Sequence, residues 1–337
     1  MNKVEHISVI GAGGWGSALA QLLSARGVPV TIWAHDPAQA DEINNRHTNR
    51  QFLPGVALAE NIRCTSSMDE AARAGLVIIV PPSKFLPDVA RQLGRAGVAP
   101  GTPLVCCTKG LEHATGRLMT QVLAEVFPDN PVAALSGPNH AEEVARGTPA
   151  AAVIAADDHD LAVQLREVFS TASFRTYSSD DVAGVELGGA LKNIYAIAAG
   201  ISDGLGLGDN AKAALVTRAL AELVRLGTKL GGHRETFHGL SGLGDLIVTC
   251  FSAHSRNRGV GERLGRGENW ADIEKSMVMV AEGVPTARTA QAEARKHGVE
   301  TPLLDTVYAV LFENLSPRDG LLRLLARDPK REKEGTA

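Results

Sequence analysis

The hydrophobic positions of this 337-residue chain change rhythm near the middle. Up to about residue 156 they come in short continuous runs, HISVIGAG, VPVTIWAHD, LVIIVPPS, TPLVCCTKG, PVAALSGP and AAVIAA. Such runs, ending in Gly, Pro, Ser or Lys where a loop should begin, read as strands buried on both faces. Helical segments lie between them, the first over residues 15 to 26. Strands alternating with helices predict a doubly wound parallel sheet that takes ligands at the carboxyl ends of its strands. After about residue 180 the apolar residues recur at helical spacing, in VAGVELGGALKNIYAIAAG, NAKAALVTRALAELVRLGTKL, SGLGDLIVTCF, VPTARTAQAEARKHG and PLLDTVYAVLFEN. The expected architecture is α/β in two domains: residues 1 to 180 around the sheet, then an all-helical domain over residues 181 to 337. The final RDPKREKEGTA reads as a frayed charged tail.

Composition narrows the partners. With 34 basic and 38 acidic residues the net charge is -4, and the basic residues are spread along the chain, which argues against nucleic acid. No window approaches the roughly 20 apolar residues needed to cross a bilayer. MNKVEH leads straight into a strand without a signal-peptide pattern. Cys64, Cys106, Cys107 and Cys250 make no CxxC pair, and two of them sit side by side in a strand, as in a reducing compartment. A cytoplasmic protein without membrane insertion is expected. The ten histidines are scattered, His233 and His238 lack the helical spacing of metal ligands, and no metal is expected.

Chemistry enters with GAGGWG, where Gly11, Gly13 and Gly16 match GxGxxG between a strand and a helix. The first glycine permits the tight turn, the second lets backbone approach a pyrophosphate, and the third lets helix and strand pack closely. A Rossmann-type dinucleotide site follows, with NAD or NADP as cofactor. The end of the second strand should choose between them, but Asp36 precedes a proline and could equally cap the next helix, whereas His35 could face a phosphate. In the second half, Lys192 stands alone in GVELGGALKNIYAIAAG. Its helical neighbours Gly188, Gly189, Tyr195 and Ala196 form a face small enough for another backbone to approach. Burial would lower its pKa and suit it to proton transfer, while the plainer alternative is a stem on apolar surface with its amine in water. Lys109 follows a strand at the ligand-facing end. Asp245 and Thr249 are four residues apart on one helix face, with a helix cap as the plainer role for Asp245. HSRNRG places Ser255, Arg256, Asn257 and Arg258 together, either a phosphate cradle or an exposed basic turn.

In order along almost the whole chain, GAGGWG, VPPS, CCTKGLE, LSGPNHAEEVARGTPAA, ELGGALKNIYAIAAGISDGLGLGDNAKAALVTR, GLSGLGDLIVTCFSAHSRNRGVGERLGRG and MVMVAEGVPTA resemble bacterial NAD(P)-dependent glycerol-3-phosphate dehydrogenase. The resemblance implies reversible reduction of dihydroxyacetone phosphate to sn-glycerol 3-phosphate, feeding glycerophospholipid synthesis. It makes Lys192 the acid/base, Lys109 a second lysine near the carbonyl and the nicotinamide, and Asp245 and Thr249 the groups that orient Lys192 and the substrate hydroxyls, with Lys109, Lys192 and Asp245 all binding substrate. Gly137, Asn139, Asn193, Ser255, Arg256 and Asn257 become substrate contacts. Gly14, Trp15, His35, Ala141, Arg256, Val280 and Glu282 join the glycines as cofactor contacts. Gly188 and Gly189 then bring the first domain close to the amine. Gly14, Ala34 and Asn139 depart from the residues common in relatives at those positions.

The alternative enzyme is a β-hydroxyacid dehydrogenase of the 6-phosphogluconate or 3-hydroxyisobutyrate type, which pairs the same domains with a Lys-Asn helix. A carboxylate substrate would need a basic clamp of its own, whereas the Ser-Arg-Asn triplet favours a small phosphate ester. A dinucleotide sensor without catalysis would have no use for the lysines and Asp245. A homodimer is compatible with the sequence, which leaves oligomeric state open.

Overall fold

The computed structural model describes residues 4–277, 279–329 and 331–332. Among the described residues ten strands are formed: β1 (Ile7–Ile10), β2 (Val30–Trp33), β3 (Thr48–Asn49), β4 (Leu53–Ala57), β5 (Ile62–Thr65), β6 (Leu76–Ile79), β7 (Leu104–Cys106), β8 (Val132–Ser136), β9 (Ala150–Ala156) and β10 (Phe174–Ser179). Eight make one sheet in the order β10-β9-β8-β7-β6-β1-β2-β5, and β3 pairs with β4 in a separate antiparallel hairpin. β1 pairs in parallel with β2 on one side and β6 on the other, Ile7 facing Val30 and Leu76. The strand order therefore reverses at β1 and β6, the place where a doubly wound sheet opens a crevice for a ligand.

All four residues of β1 are buried, as its unbroken apolar run demands. Val9 packs with Leu19, Leu23 and Ile43 on one face of the sheet. Ile10, Val77 and Ile79 pack with Leu86, Leu93 and Leu123 on the other. The sheet differs from an all-parallel expectation at one place, where β9 runs antiparallel to β8 before β10 resumes parallel to β9. The chain between β8 and β9 holds only the five-residue helix Ala141–Ala145. It therefore lacks the long helical crossover through which parallel neighbours are usually joined.

From residue 182 onward the described chain is helical. The helix Val182–Gly204 runs through its centre, with Ile194, Tyr195 and Ile197 fully buried against Leu223, Phe237, Leu246 and Leu304. The helix Arg256–Gly265 lies on it with backbones touching. A Cβ on Gly200 would fall 1.9 Å from the Arg258 carbonyl oxygen, and one on Gly261 2.0 Å from that of Ile197. SGLGDLIVTCF is not one helix: a π-helical turn, Leu240–Gly244, leads into the helix Asp245–Phe251.

Candidate active site

The Gly-rich turn is built for a dinucleotide. Gly11 takes φ +121°, which L side chains rarely adopt, and a Cβ on Gly16 would sit 1.9 Å from the Gly11 carbonyl oxygen. A Cβ on Gly13 would meet nothing within 4 Å, so the space over that peptide is open. Gly13 caps the helix Gly14–Ser24 without a side-chain bond, leaving first-turn N–H groups free for phosphate oxygens. The indole Nε1 of Trp15 is buried without a hydrogen-bond partner, as suits a donor awaiting a ligand. These residues fit NAD or NADP. At the end of β2, Asp36 caps the helix Pro37–Arg46 by accepting from Ala38 N at 2.9 Å, and His35 is exposed toward the cleft. Ala34 is fully buried and does not itself line the cleft.

Opposite the turn stands a buried charge bridge. Lys192 Nζ donates to Asp245 Oδ1 at 2.6 Å and to Thr249 Oγ1 at 2.6 Å. Lys109 Nζ, from the loop after β7, donates to the other oxygen of Asp245 at 2.7 Å and to the Gly137 carbonyl at 2.9 Å. One carboxylate thus holds two ammonium groups, one from each half of the chain. Lys192 is 6% exposed, so it does not snorkel to water. Burial depresses its pKa to about 8, Asp245 opposing and Lys109 reinforcing the shift. Burial also works against ionising Asp245, but the two lysines outweigh it and hold the carboxyl below its ordinary value. Asp245 is consequently an anionic anchor, not a helix cap.

The helical glycines divide their work in a way the small-residue face did not reveal. Gly189 meets the first half, where a Cβ would lie 2.4 Å from Ser136 Oγ and 3.5 Å from Lys109 Cγ. Gly188 faces the π-helical turn instead, 2.6 Å from the Ser241 carbonyl oxygen on the same measure.

A second polar group lies along the same cleft, which encloses about 690 Å³. Ser255 caps the helix Arg256–Gly265, accepting from Arg258 N at 3.2 Å, and Arg256 remains exposed at its first position. Asn257 donates to Asn193 Oδ1 at 2.9 Å and accepts from Gly283 N at 2.9 Å, so its amide first of all ties three elements together. Asn139 donates to the Ala151 carbonyl at 2.9 Å while its Oδ1 is buried without a partner. Gly14, Ala141 and Val280 also line this cleft. Glu282 reaches over from the second half and accepts from Ser83 N at 3.0 Å and from Ser83 Oγ at 2.5 Å. Burial raises the Glu282 pKa against those two hydrogen bonds. The residues singled out in the sequence as site candidates line the cleft except three: Gly137 acts through its carbonyl, Asp36 caps the next helix, and Arg258 turns away to pair with Asp203 and Glu262.

Sequence reasoning passed over Ser83 and His140. Ser83 closes the VPPS run and His140 lies within SGPNH, but nothing local to either distinguishes it from an ordinary loop residue. Among the described residues no group of three or more His, Cys, Asp or Glu could hold a metal ion, and no helix is long and apolar enough to cross a membrane.

A dinucleotide turn on one wall and a lysine poised for proton transfer on the other define the class, a nicotinamide-dependent oxidoreductase. Family models for the N-terminus and C-terminus of NAD-dependent glycerol-3-phosphate dehydrogenase match residues 6–162 and 181–321. The chain is 46% identical over 331 residues to glycerol-3-phosphate dehydrogenase [NAD(P)+] of Chlorobium limicola, covering 97% of this chain and 99% of that one. It is 46% identical over 333 residues to the Geobacter sulfurreducens protein of the same name, covering 98% and 99%. The crystal structure of glycerol-3-phosphate dehydrogenase from Coxiella burnetii superposes with a TM-score of 0.92 at 37% identity, over 96% of this chain and 99% of that one. The chain belongs to the NAD-dependent glycerol-3-phosphate dehydrogenase family.

Proposed function

We propose that the chain reversibly reduces dihydroxyacetone phosphate to sn-glycerol 3-phosphate with NAD(P)H, supplying glycerophospholipid synthesis. Residues 1–180 carry the cofactor and residues 181–337 most of the substrate site. The observation that carries this reading is the Lys109, Asp245 and Lys192 bridge, assembled from both halves opposite the Gly-rich turn.

The nicotinamide, when bound, supplies the hydride. Lys192 gives a proton to the substrate carbonyl oxygen as charge develops there, and in the reverse direction neutral Lys192 takes the proton from the hydroxyl. Lys109 adds positive charge beside the same oxygen, with Gly137 holding its ammonium from behind. Asp245 and Thr249 fix the Lys192 amine. Asn139 and Asn193 contact the substrate, and the phosphate rests on Ser255, Arg256, Asn257 and the N-terminus of their helix. Gly11, Gly13, Gly14, Trp15, Gly16, His35, Ala141, Val280 and Glu282 hold the cofactor, with Lys109 and Arg256 reaching it from the substrate side. The buried, unpaired cysteines support a reducing cytosol as the setting. The exposed Ile247, Phe251, Leu322 and Leu325 offer surface for a homodimer, which light scattering of the purified protein checks.

Loss of NAD(P)H absorbance on adding dihydroxyacetone phosphate tests the reaction, with 3-hydroxy acids as competing substrates; turnover of the acids alone would overturn it. Lys192→Ala should lower kcat by about 10²–10⁴-fold with cofactor affinity nearly intact. Arg256→Ala should chiefly raise KM for the phosphate ester, and an unchanged KM removes the phosphate cradle from that place.

A further inference from the structure

The loop that carries Asn139 also presents His140, which the reaction above does not use. His140 Nε2 is buried without a hydrogen-bond partner, as are Asn139 Oδ1 and Trp15 Nε1 on the same cleft. Polar atoms withdrawn from solvent are nearly always paired, so three unpaired ones on the lining of one cleft mark places where a ligand completes the bonding. Trp15 stands at the dinucleotide turn and Asn139 beside the Lys109 loop, so His140 is the member still without an assigned partner.

Its position is defined from two sides. The ring lies 5.8 Å, centre to centre, from the His254 ring across the cleft, tilted by 54°. His254 immediately precedes Ser255, Arg256 and Asn257, the residues at the start of the proposed phosphate helix. On the other side His140 is close enough to Lys192, Asp245 and Lys109 for their charges to act on it. Burial lowers its pKa, with Lys192 pushing the same way, so the ring is neutral near pH 7 and bears one N–H. In the reaction proposed above the substrate carbonyl oxygen faces Lys192 and Lys109. A group between that oxygen and the 255–257 turn meets the phosphoryl end of a three-carbon substrate.

We propose that His140 is a further substrate-binding and specificity-determining residue, donating from Nε2–H to a phosphoryl oxygen of the bound phosphate ester. The proposal rests on the substrate site given above, and Arg256→Ala tests that site independently. His140→Phe keeps a ring of similar size and removes the donor. A hydrogen bond to a charged oxygen is worth roughly tenfold or more in affinity. KM for dihydroxyacetone phosphate should therefore rise about tenfold or more, with kcat within about threefold and KM for NADH unchanged. Competitive inhibition by inorganic phosphate should weaken in parallel. His140→Gln, which restores an N–H donor, should recover most of the loss. A His140→Phe enzyme with KM for the ester within about twofold of the parent overturns the proposal. So does a loss that appears equally in KM for NADH or is not recovered by His140→Gln. If Arg256→Ala also leaves KM unchanged, the phosphate site itself is misplaced; if Arg256→Ala raises KM and His140→Phe does not, only the role of His140 fails.

Discussion

Lys192 can act as a proton donor because two opposing effects leave its pKa near neutrality. Burial alone would push the ammonium toward the neutral amine, and Asp245, at 2.6 Å, pulls it back to about 8. At pH 7 the amine is thus mostly charged and ready to give a proton. Above pH 8 it is mostly neutral and ready to take one. The kcat/KM for ketone reduction should fall as pH rises through about 8, and that for alcohol oxidation should rise over the same range. Asp245→Asn removes the attraction and leaves two ammonium groups facing a neutral amide. The Lys192 pKa then drops, and the falling limb of ketone reduction should move to lower pH by about 1–3 units. A limb that stays in place would show that another group controls it. The sequence made Lys192 visible as the lone cation of an apolar helix, and it placed Asp245 and Thr249 on one helix face. It did not pair them, because they stand 53 and 57 residues away and only the packing of the helix Asp245–Phe251 on the helix Val182–Gly204 brings them to the amine. His140 and Ser83 were illegible for the same reason: their partners are set by tertiary structure, and their local sequence is ordinary.

The substrate site depends on two helices held closer than side chains would allow. Gly200 and Gly204 on the helix Val182–Gly204 meet Gly261 and Gly265 on the helix Arg256–Gly265, and a Cβ on any of the four would fall within 2.6 Å of a backbone oxygen of the other helix. This contact sets the distance between Lys192 and Arg256, which ride on opposite members of the pair. Alanine usually favours a helix over glycine by about 0.8–1.0 kcal/mol. At Gly261, however, the 2.0 Å approach to the Ile197 carbonyl must be relieved by moving backbone, and overpacking of that kind costs about 1–3 kcal/mol. Gly261→Ala should therefore destabilise the protein and raise KM for the phosphate ester more than KM for NADH. Gly259→Ala on the same helix, where a Cβ meets nothing within 4 Å, should be neutral or stabilising by up to about 1 kcal/mol. Urea midpoints of the two variants check the contrast, and equal shifts would refute close approach as the cause. At this scale the central strands and the change to helices after residue 180 were legible from the length and period of the apolar runs. β5 and β10 were not, since they lie at the sheet edges and alternate buried with exposed residues, so neither forms a continuous apolar run. The reversal at β9 was hidden because direction depends on the connecting chain and leaves no mark on AAVIAA itself.

Two buried carboxylates act across the whole molecule as helix caps supplied from a distance. Glu222 accepts from Leu303 N at 3.0 Å and Leu304 N at 2.8 Å at the start of the helix Pro302–Phe312. Glu186, on the same helix as Lys192, accepts from Thr120 N at 3.2 Å and from Thr120 Oγ1, at the start of the helix Met119–Val126 in the first half. In neither capped helix does the N-cap side chain bond the first turn, so the carboxylates satisfy first-turn N–H groups that would otherwise be orphaned. Burial outweighs those hydrogen bonds and raises the pKa of each carboxyl from 4.5 to about 7. Between those two values the folded chain binds more protons than the unfolded chain, so stability falls as pH rises from about 4.5 to about 7 and levels off above. For Glu186 a shift of that size corresponds to roughly 3 kcal/mol at most. Because its partner Thr120 belongs to the other half, that loss falls on the contact joining the sheet to the central helix. Glu186→Gln keeps a carbonyl acceptor for Thr120 and cannot ionise. Its urea midpoint, compared with that of the parent, should gain from pH 5 to about pH 7 and level off toward pH 8, the variant being relatively most stable at the alkaline end. A constant difference between the two proteins across that range would mean that Glu186 keeps the same protonation in the folded and unfolded chains, and the cap would then owe nothing to its proton.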